Sequence, residues 1–229
     1  MHAQSNLPAK YEAGLSGGIF IYQGDLTPWA TGSLETMSPQ FSVRISRILN
    51  PSFSVSFNIT RGILRGDDAK YANPDWRQQR NFNFTTPVTE FSLLGTCNFF
   101  QAQQTRFFPY IFAGAGVSLL KIKREWSNIN TSTFPAGGDV QNRLQTDLEK
   151  SLPTITPVIP AGIGMRYAIT DNVSLTGEAS YRFCFTDYLD GFSISANPEK
   201  NDHYYSGSIG LVFSLNRESN TLRCPVIRY

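Results

Sequence analysis

Residues 173–191 read V-S-L-T-G-E-A-S-Y-R-F-C-F-T-D-Y-L-D-G and decide the fold. From Val173 to Phe185, every second residue is apolar, aromatic or small, and most of the residues between them are polar. This period of two predicts one long β-strand with two unlike faces. At ~3.3 Å per residue, such a strand rises about 40 Å, which suits a tilted transmembrane strand that extends beyond the lipid.

The composition favours a single all-β domain spanning residues 1–229. Charged residues make up 17% of the chain and aromatic residues 13%. No apolar run reaches the ~18 residues that a transmembrane helix needs, which excludes a helical membrane protein. The net charge of +2, without a cluster of Lys and Arg, argues against a nucleic-acid partner. Three cysteines without metal-ligand spacing are too few for a disulfide scaffold.

The same alternation recurs along the chain and predicts eight strands. The connections between them alternate between long and short, which is the known anatomy of an outer-membrane barrel. The sequence therefore predicts an eight-stranded antiparallel up-and-down transmembrane β-barrel over about 11–215, with both termini and the short turns in the periplasm and the long loops outside. The predicted strands are about 11–22, 40–48, 53–64, 88–100, 108–121, 159–169, 173–185 and 204–215.

The less apolar face of these strands carries Ser, Thr, Asn, Gly and six charged residues. The apolar faces carry no charged residue in the middle of any strand. We therefore expect the apolar faces to contact lipid and the polar faces to line the lumen. Eight strands leave an interior just wide enough for side chains to fill. Three carboxylates and three guanidinium groups should therefore pair with one another inside the barrel, as a structural network rather than a pore. These residues are Glu12, Arg44, Glu90, Arg166, Glu178 and Arg182.

Aromatic residues near the strand ends are typical of the girdles at the two lipid–water boundaries. We expect one girdle near the short turns and a second near the long loops. The first comprises Tyr11, Phe41, Phe53, Phe99, Phe108, Tyr110 and Tyr167, and the second Tyr22, Phe185, Tyr204 and Tyr205.

Candidates for chemistry are few, and we expect no catalytic residues, metal or cofactor. A lipid hydrolase would need a Ser, a His and a carboxylate, and the candidates are His203, Ser206 and Glu199. A histidine in a loop usually has no catalytic role, however. The acidic pairs Asp67-Asp68 and Asp187/Asp190 lack the ordered ligand series of a calcium loop, so turn or capping roles are favoured.

Four segments resemble a family of small barrels from Bacteroidota that includes the outer-membrane barrel subunit of the type IX secretion system. They are Y-Q-G-D-L at 22–26, F-P-Y-I-F-A-G at 108–114, I-P-A-G-I-G at 159–164 and F-T-D-Y-L-D at 185–190. The resemblance spans roughly 12–225. It departs at Gly191, where another Asp is expected, and after Trp126, where a Thr-Glu-Gly-Gln element is missing. The motif residues that carry it are Gly24, Asp25, Thr186, Asp187, Tyr188, Leu189 and Asp190.

The resemblance implies a non-enzymatic subunit of an envelope machine, type IX secretion or a paralogous one, whose partners are outer-membrane lipid and a periplasmic ring of a lipoprotein and its partner. The alternatives are a stand-alone barrel for adhesion or passage of a small apolar ligand, and a lipid-modifying enzyme. Residues 216–229 are predicted to be a periplasmic tail that docks a partner through Arg223, Cys224, Pro225 and Tyr229, although a disordered terminus is the alternative. Residues 1–5 resemble the remnant of a cleaved secretory leader.

Overall fold

The computed structural model describes residues 10–29, 31–99, 106–196 and 202–215. The predicted leader remnant and the predicted docking tail lie outside the described residues. Among the described residues, no helix combines the length and the apolar character needed to cross a membrane.

Eight long antiparallel strands form one closed barrel. Each pairs with its neighbours in chain order, and the first strand pairs with the last over thirteen residues. A ninth, short strand, β6, extends the sheet beside β4. The predicted eight-stranded antiparallel up-and-down barrel is confirmed. The strands are β1 (Tyr11–Gln23), β2 (Ser38–Asn50), β3 (Phe53–Asp67), β4 (Asn83–Asn98), β5 (Phe107–Leu120), β6 (Lys123–Glu125), β7 (Ile155–Ala168), β8 (Val173–Cys184) and β9 (His203–Leu215).

Two strands begin four or more residues earlier than the sequence predicted, and prolines explain the difference. β4 begins at Asn83 rather than 88, and β7 at Ile155 rather than 159. Pro87 and Pro157 lie in these added segments, and a proline within a run argues against a strand because it cannot donate to the ladder. Here both prolines face outward and keep the register, opposite Ile63 and Val117.

The long connections contain helices where the sequence predicted only loops. Two short 3₁₀ turns (Leu34–Thr36 and Asp68–Lys70) and the helix α1 (Trp76–Arg80) lie in the first two long connections. The helix α2 (Asp139–Glu149) lies in the third. Val140, Leu144 and Leu148 follow at intervals of four and pack against the buried core, a helical spacing that the sequence analysis overlooked.

The barrel has an apolar exterior and a polar interior. Leu15, Ile45, Leu93 and Ile163 are among the large apolar side chains exposed on the outer wall. Serine, threonine and asparagine side chains on the alternate positions are buried inside, among them Ser42, Ser56, Asn58, Thr60, Ser92 and Ser180. Because water would meet the apolar wall at a large cost in free energy, this distribution requires lipid around the barrel.

Four of the aromatic residues predicted for the girdles instead point into the lumen. Phe108, Tyr110, Tyr22 and Tyr204 are all buried, and that prediction was wrong for them. It was also wrong for Phe41, which faces outward but pairs with Arg61 and so lies toward the long loops and not the short turns. Each of the four buried residues is separated by an even number of positions from the inward-facing polar residues of its strand, so it faces inward as they do. The prediction was based only on nearness to a strand end. Gly164 makes the necessary space, since a Cβ atom there would lie 2.3 Å from the Tyr110 ring.

Candidate functional site

Two of the six predicted lumen charges pair near the short-turn end, and two pair at mid-height. Arg166 donates through both terminal nitrogens to Glu12, at 2.9 and 3.0 Å. Arg44 binds Glu178 in the same two-pronged manner, at 2.5 and 2.7 Å. The Tyr110 hydroxyl donates to Glu178 Oε1 at 2.6 Å. Such paired charge-assisted hydrogen bonds compensate the loss of hydration inside the barrel.

The remaining pair lies nearest the long loops and is the most deeply buried. Arg182 Nε lies 3.2 Å from Glu90 Oε2, which also accepts a hydrogen bond from the Tyr204 hydroxyl at 3.0 Å. Arg182 Nη1 makes short hydrogen bonds to the hydroxyl oxygens of Ser180 and Ser206. The structure thus brings all six predicted residues together as three ion pairs inside the barrel.

The burial of the pairs increases from the short turns toward the long loops. The side chains of Arg166 and Glu12 are 25% and 7% exposed, whereas those of Arg182 and Glu90 are 6% and 1% exposed. Two cavities of about 10 Å³ each lie among the lumen side chains, one beside Glu90 and Arg182 and one beside Gly14 and Thr176. Each has room for about one water molecule, so side chains fill most of the lumen around the ion pairs.

The long connections close the upper end of the barrel with a second, apolar layer. Leu26, Phe82, Leu144, Leu189 and Phe192 come from four different connections and pack with inward-facing strand residues into one core. The rings of Phe82 and Phe192 stack with centroids 4.5 Å apart. We call the parts of the connections that carry these five residues the loop cap.

A buried tyrosine joins two carboxyls at the base of the loop cap. The Tyr22 hydroxyl oxygen lies 2.8 Å from Asp190 Oδ2 and 2.5 Å from Asp202 Oδ1. Burial, and then repulsion between the two carboxylates, raises the pKa of Asp190; burial likewise raises the pKa of Asp202. Because the tyrosine has one hydrogen to donate, both contacts are satisfied when one of the two carboxyls keeps its proton.

Gly24 of the predicted family motif lies against this cluster. A Cβ atom at this position would lie 1.9 Å from Asp202 Oδ1 and 2.1 Å from the Tyr22 hydroxyl oxygen. Its neighbour Asp25 offers its backbone carbonyl to Arg77 at 3.1 Å, and its charge further raises the pKa of Asp190 and of Asp202. The structure therefore brings the motif at 22–26 into contact with the motif at 185–190.

The second motif fixes the loop cap through its own hydrogen bonds. The Leu189 amide donates to Asp202 Oδ2 at 3.0 Å, and its carbonyl accepts the Thr86 hydroxyl at 2.7 Å. The Tyr188 amide donates to the Thr186 hydroxyl at 3.2 Å. These residues hold the connection between β8 and β9 against the barrel wall, which is a structural role.

Asp187, the remaining acid of this motif, lies beside the same cluster. Burial raises its pKa to about 6. Its carboxyl therefore changes charge at a pH closer to neutral than an ordinary aspartate does.

Asp147 is a further anchor of the loop cap that the sequence analysis missed. Its carboxylate accepts the backbone amides of Ser193, Ile194 and Ser195 at 3.3, 3.1 and 2.8 Å, and the Ser195 hydroxyl at 2.6 Å. The Tyr188 hydroxyl donates to it at 3.2 Å. A lone aspartate in a helix gives no sequence signal for such a role, because its partners lie more than forty residues away.

The acidic pair at 67–68 has structural partners. Asp68 is fully buried and accepts hydrogen bonds from Arg77 at 3.0 Å and from Arg80 at 2.6 Å. Asp67 accepts the amide of Ala69 at 3.0 Å, which starts the 3₁₀ turn. Within the described residues, no group of three or more His, Cys, Asp or Glu side chains could hold a metal ion.

The residues considered for a hydrolase are not assembled. His203 lies on the outer face of β9, where it packs against Tyr181 and accepts the Cys184 amide at 3.3 Å. Ser206 points into the lumen and is occupied by Arg182. The two side chains are on opposite faces of the same strand, and Glu199 lies outside the described residues.

One sequence family matches the whole length of the barrel. Residues 5–216 match the family described as a domain of unknown function, DUF6089. The chain belongs to the DUF6089 family. No curated protein matches this DUF6089 sequence.

Solved structures with a similar fold are small outer-membrane barrels. Neisserial surface protein A is 15% identical, with a TM-score of 0.50 over 90% of this DUF6089 chain and 98% of that chain. OprG from Pseudomonas aeruginosa is 9% identical, with a TM-score of 0.48 over 92% and 98%. Ail of Yersinia pestis, bound to the heparin analogue sucrose octasulfate, is 10% identical, with a TM-score of 0.48 over 90% and 99%. At these identities the likeness shows the fold alone.

Proposed function

We propose that this chain is a non-enzymatic barrel of the outer membrane and serves as a structural or interaction subunit of an envelope assembly. The filled lumen is the observation that carries this proposal. Beside the three ion pairs and beneath the loop cap lie two cavities, each with room for about one water molecule, which is too small for an ion with its hydration shell or for a small apolar ligand. What remains for binding is the outer surface, the two rims and the termini.

The proposed orientation follows from the strand number and the connections. With an even number of strands, the first strand begins and the last strand ends on the side of the short turns. That side is the periplasm in small outer-membrane barrels. The loop cap then faces the outside. The tail at 216–229 would begin in the periplasm, where a partner of the envelope could bind it.

We further propose that the assembly is the type IX secretion system or a paralogous machine. The support is the resemblance of the motifs at 22–26 and 185–190, which meet around Tyr22 and Asp202. The departure at Gly191 has a local reason, since this residue has φ +85°, a backbone conformation that favours glycine. An aspartate at this position would be strained, so the backbone of this connection is suited to glycine and not to the aspartate that the family pattern has.

Recovery of partners from native membranes tests the proposal. The tagged full chain would be extracted with mild detergent, and the proteins bound to it identified by mass spectrometry. A variant without residues 216–229 should insert normally but lose its periplasmic partners. The control replaces Thr131, Ser132 and Thr133, which are exposed on the long-loop side, with Gly-Ser-Gly and should retain the partners. Recovery of the chain alone would contradict a subunit role and favour a stand-alone barrel.

A further inference from the structure

Four exposed basic side chains lie on one flank of the outer wall, near the long-loop end. Arg61 and Arg65 are on the outward face of β3, and Lys121 and Lys123 follow β5. Arg65 pairs with Thr85 of β4, which in turn pairs with Lys123. Strands lie ~4.8 Å apart, which places Arg65 and Lys123 about 10 Å apart at the backbone. We call these four residues the basic flank.

The basic flank is specific to one side of the barrel. The outward positions of β1, β7, β8 and β9 carry no Lys or Arg among the described residues. On that side, aromatic rings occupy the same height: Tyr181 packs against Phe183 and Tyr205, with centroids 4.6 and 4.8 Å apart. An ordinary boundary belt would distribute cations around the whole circumference, so the one-sided grouping indicates a binding surface.

The four cations are free to meet a ligand. None of them forms an ion pair with another residue in the described part of the chain. The acids nearest in the register are Asp67 and Glu125, one row further from the membrane. Both are engaged locally, because Asp67 accepts the Ala69 amide and Glu125 accepts the Ser127 amide.

The height of the basic flank matches the boundary of the lipid. Arg61 and Arg65 follow Phe53, at the short-turn end of β3, by eight and twelve residues. At ~3.3 Å per residue and a tilt of ~40°, they lie about 20 and 30 Å above it. The apolar band of such barrels is ~25 Å tall, so the two guanidinium groups bracket its upper edge. Phe57 and Ile59, directly below, are exposed to contact acyl chains.

We propose that the basic flank binds the phosphorylated headgroup of an outer-leaflet lipid. Guanidinium groups match phosphate oxygens in a two-pronged geometry, and the lysines add point charges. The apolar residues below would hold the lipid chains at the same position. The choice of leaflet rests on the proposed orientation, whereas the binding itself does not depend on it or on any protein partner.

Native mass spectrometry of the purified full chain in a neutral detergent tests this inference. The probes are diphosphorylated lipid A, the same lipid without its phosphates, and inorganic phosphate. The test variant is Arg61→Gln/Arg65→Gln/Lys123→Gln. The control removes three exposed cations near the short turns, Lys10→Gln/Arg47→Gln/Arg106→Gln.

The test variant should bind diphosphorylated lipid A on the order of 100-fold more weakly, since each cation near an anionic lipid surface contributes about 5-fold. The control should bind as the parent does, and the parent should prefer the phosphorylated lipid. Equal losses in both variants, equal binding of the lipid without phosphates, or inorganic phosphate bound as tightly as the lipid would each overturn the inference. If the triple variant does not fold, Lys121→Gln/Lys123→Gln, outside the long strands, should still weaken binding by about 25-fold.

Discussion

Removal of Arg182 should destabilise the barrel more than any other single change in the lumen. Its side chain is 6% exposed and forms an ion pair with Glu90, whose side chain is 1% exposed. In Arg182→Leu, Glu90 would keep only the hydroxyl groups of Tyr204 and Ser92. A buried charge that loses its partner costs roughly 3 to 5 kcal/mol of unfolding free energy.

The loss of unfolding free energy on removing the arginine should differ among the three ion pairs in a defined order. Arg166→Leu leaves Glu12 in a part of the lumen that water can reach, since the Arg166 side chain is 25% exposed. We expect a loss of roughly 1 to 2 kcal/mol, between the values for exposed and buried pairs. Arg44→Leu should lie between the two. The double variant Glu90→Leu/Arg182→Met should regain part of the loss, because no lone charge remains.

Urea unfolding of the barrel in lipid vesicles, followed by far-ultraviolet circular dichroism of the strands, measures these differences, because the three tryptophans Trp29, Trp76 and Trp126 lie in the long connections and not in the barrel. The unfolding midpoint of Arg182→Leu should fall well below that of the parent, with an unchanged slope. An Arg182→Leu midpoint equal to the parent's would refute the reasoning. So would an equal loss for Arg166→Leu, because burial would then not set the cost.

Three further results are expected. Gly24→Ala should loosen the loop cap but not the barrel, because its Cβ would lie 1.9 Å from Asp202 Oδ1; hydrogen exchange at the Leu189 amide should accelerate while strand amides stay protected. The folded cap binds the Asp187 proton more tightly than the unfolded chain does, so the contribution of Asp187 to cap stability should be full below about pH 4 and be lost as the pH rises to about 6. Asp187→Asn should make the decline in hydrogen-exchange protection shallower, and the part that remains belongs to Asp190 and Asp202. Cys97 and Cys184, both free thiols, should show no mutual disulfide by mass spectrometry, and of these two a lipid-soluble maleimide should label Cys97 and leave the buried Cys184 unlabelled.

The barrel could be predicted from the sequence because its two faces have opposite chemistry. A period of two places Glu178 and Arg182 on one face of β8 and Leu175 and Phe183 on the other. Charges on the inward face had to find partners, and in the part of the chain that the structure describes each of the six pairs with another member of the same set. The partner of each charge could not be predicted, because register between distant strands, such as β2 and β8, is not visible in either strand.

The loop cap could not be predicted for a different physical reason. Its contacts join segments far apart in sequence, as when Tyr22 meets Asp190 across 168 positions. Apart from the helix α2, whose Val140, Leu144 and Leu148 follow a helical spacing, the connections have no strict period that would mark which of their residues are buried. The aromatic residues misplaced in the girdles show the same limit: Tyr22 and Tyr204 near the strand ends fill the lumen beneath the cap.

The filled lumen is tested most directly by electrical recording. The purified full chain, inserted into a planar lipid bilayer, should give no steady ion conductance above that of the bare bilayer. Arg44, Glu178 and the loop cap would have to move together to open a path, and they are held by hydrogen bonds of 2.5 to 3.0 Å. Stepwise ion currents that persist in the folded wild-type barrel would contradict the closed interior and, with it, a function confined to the surface.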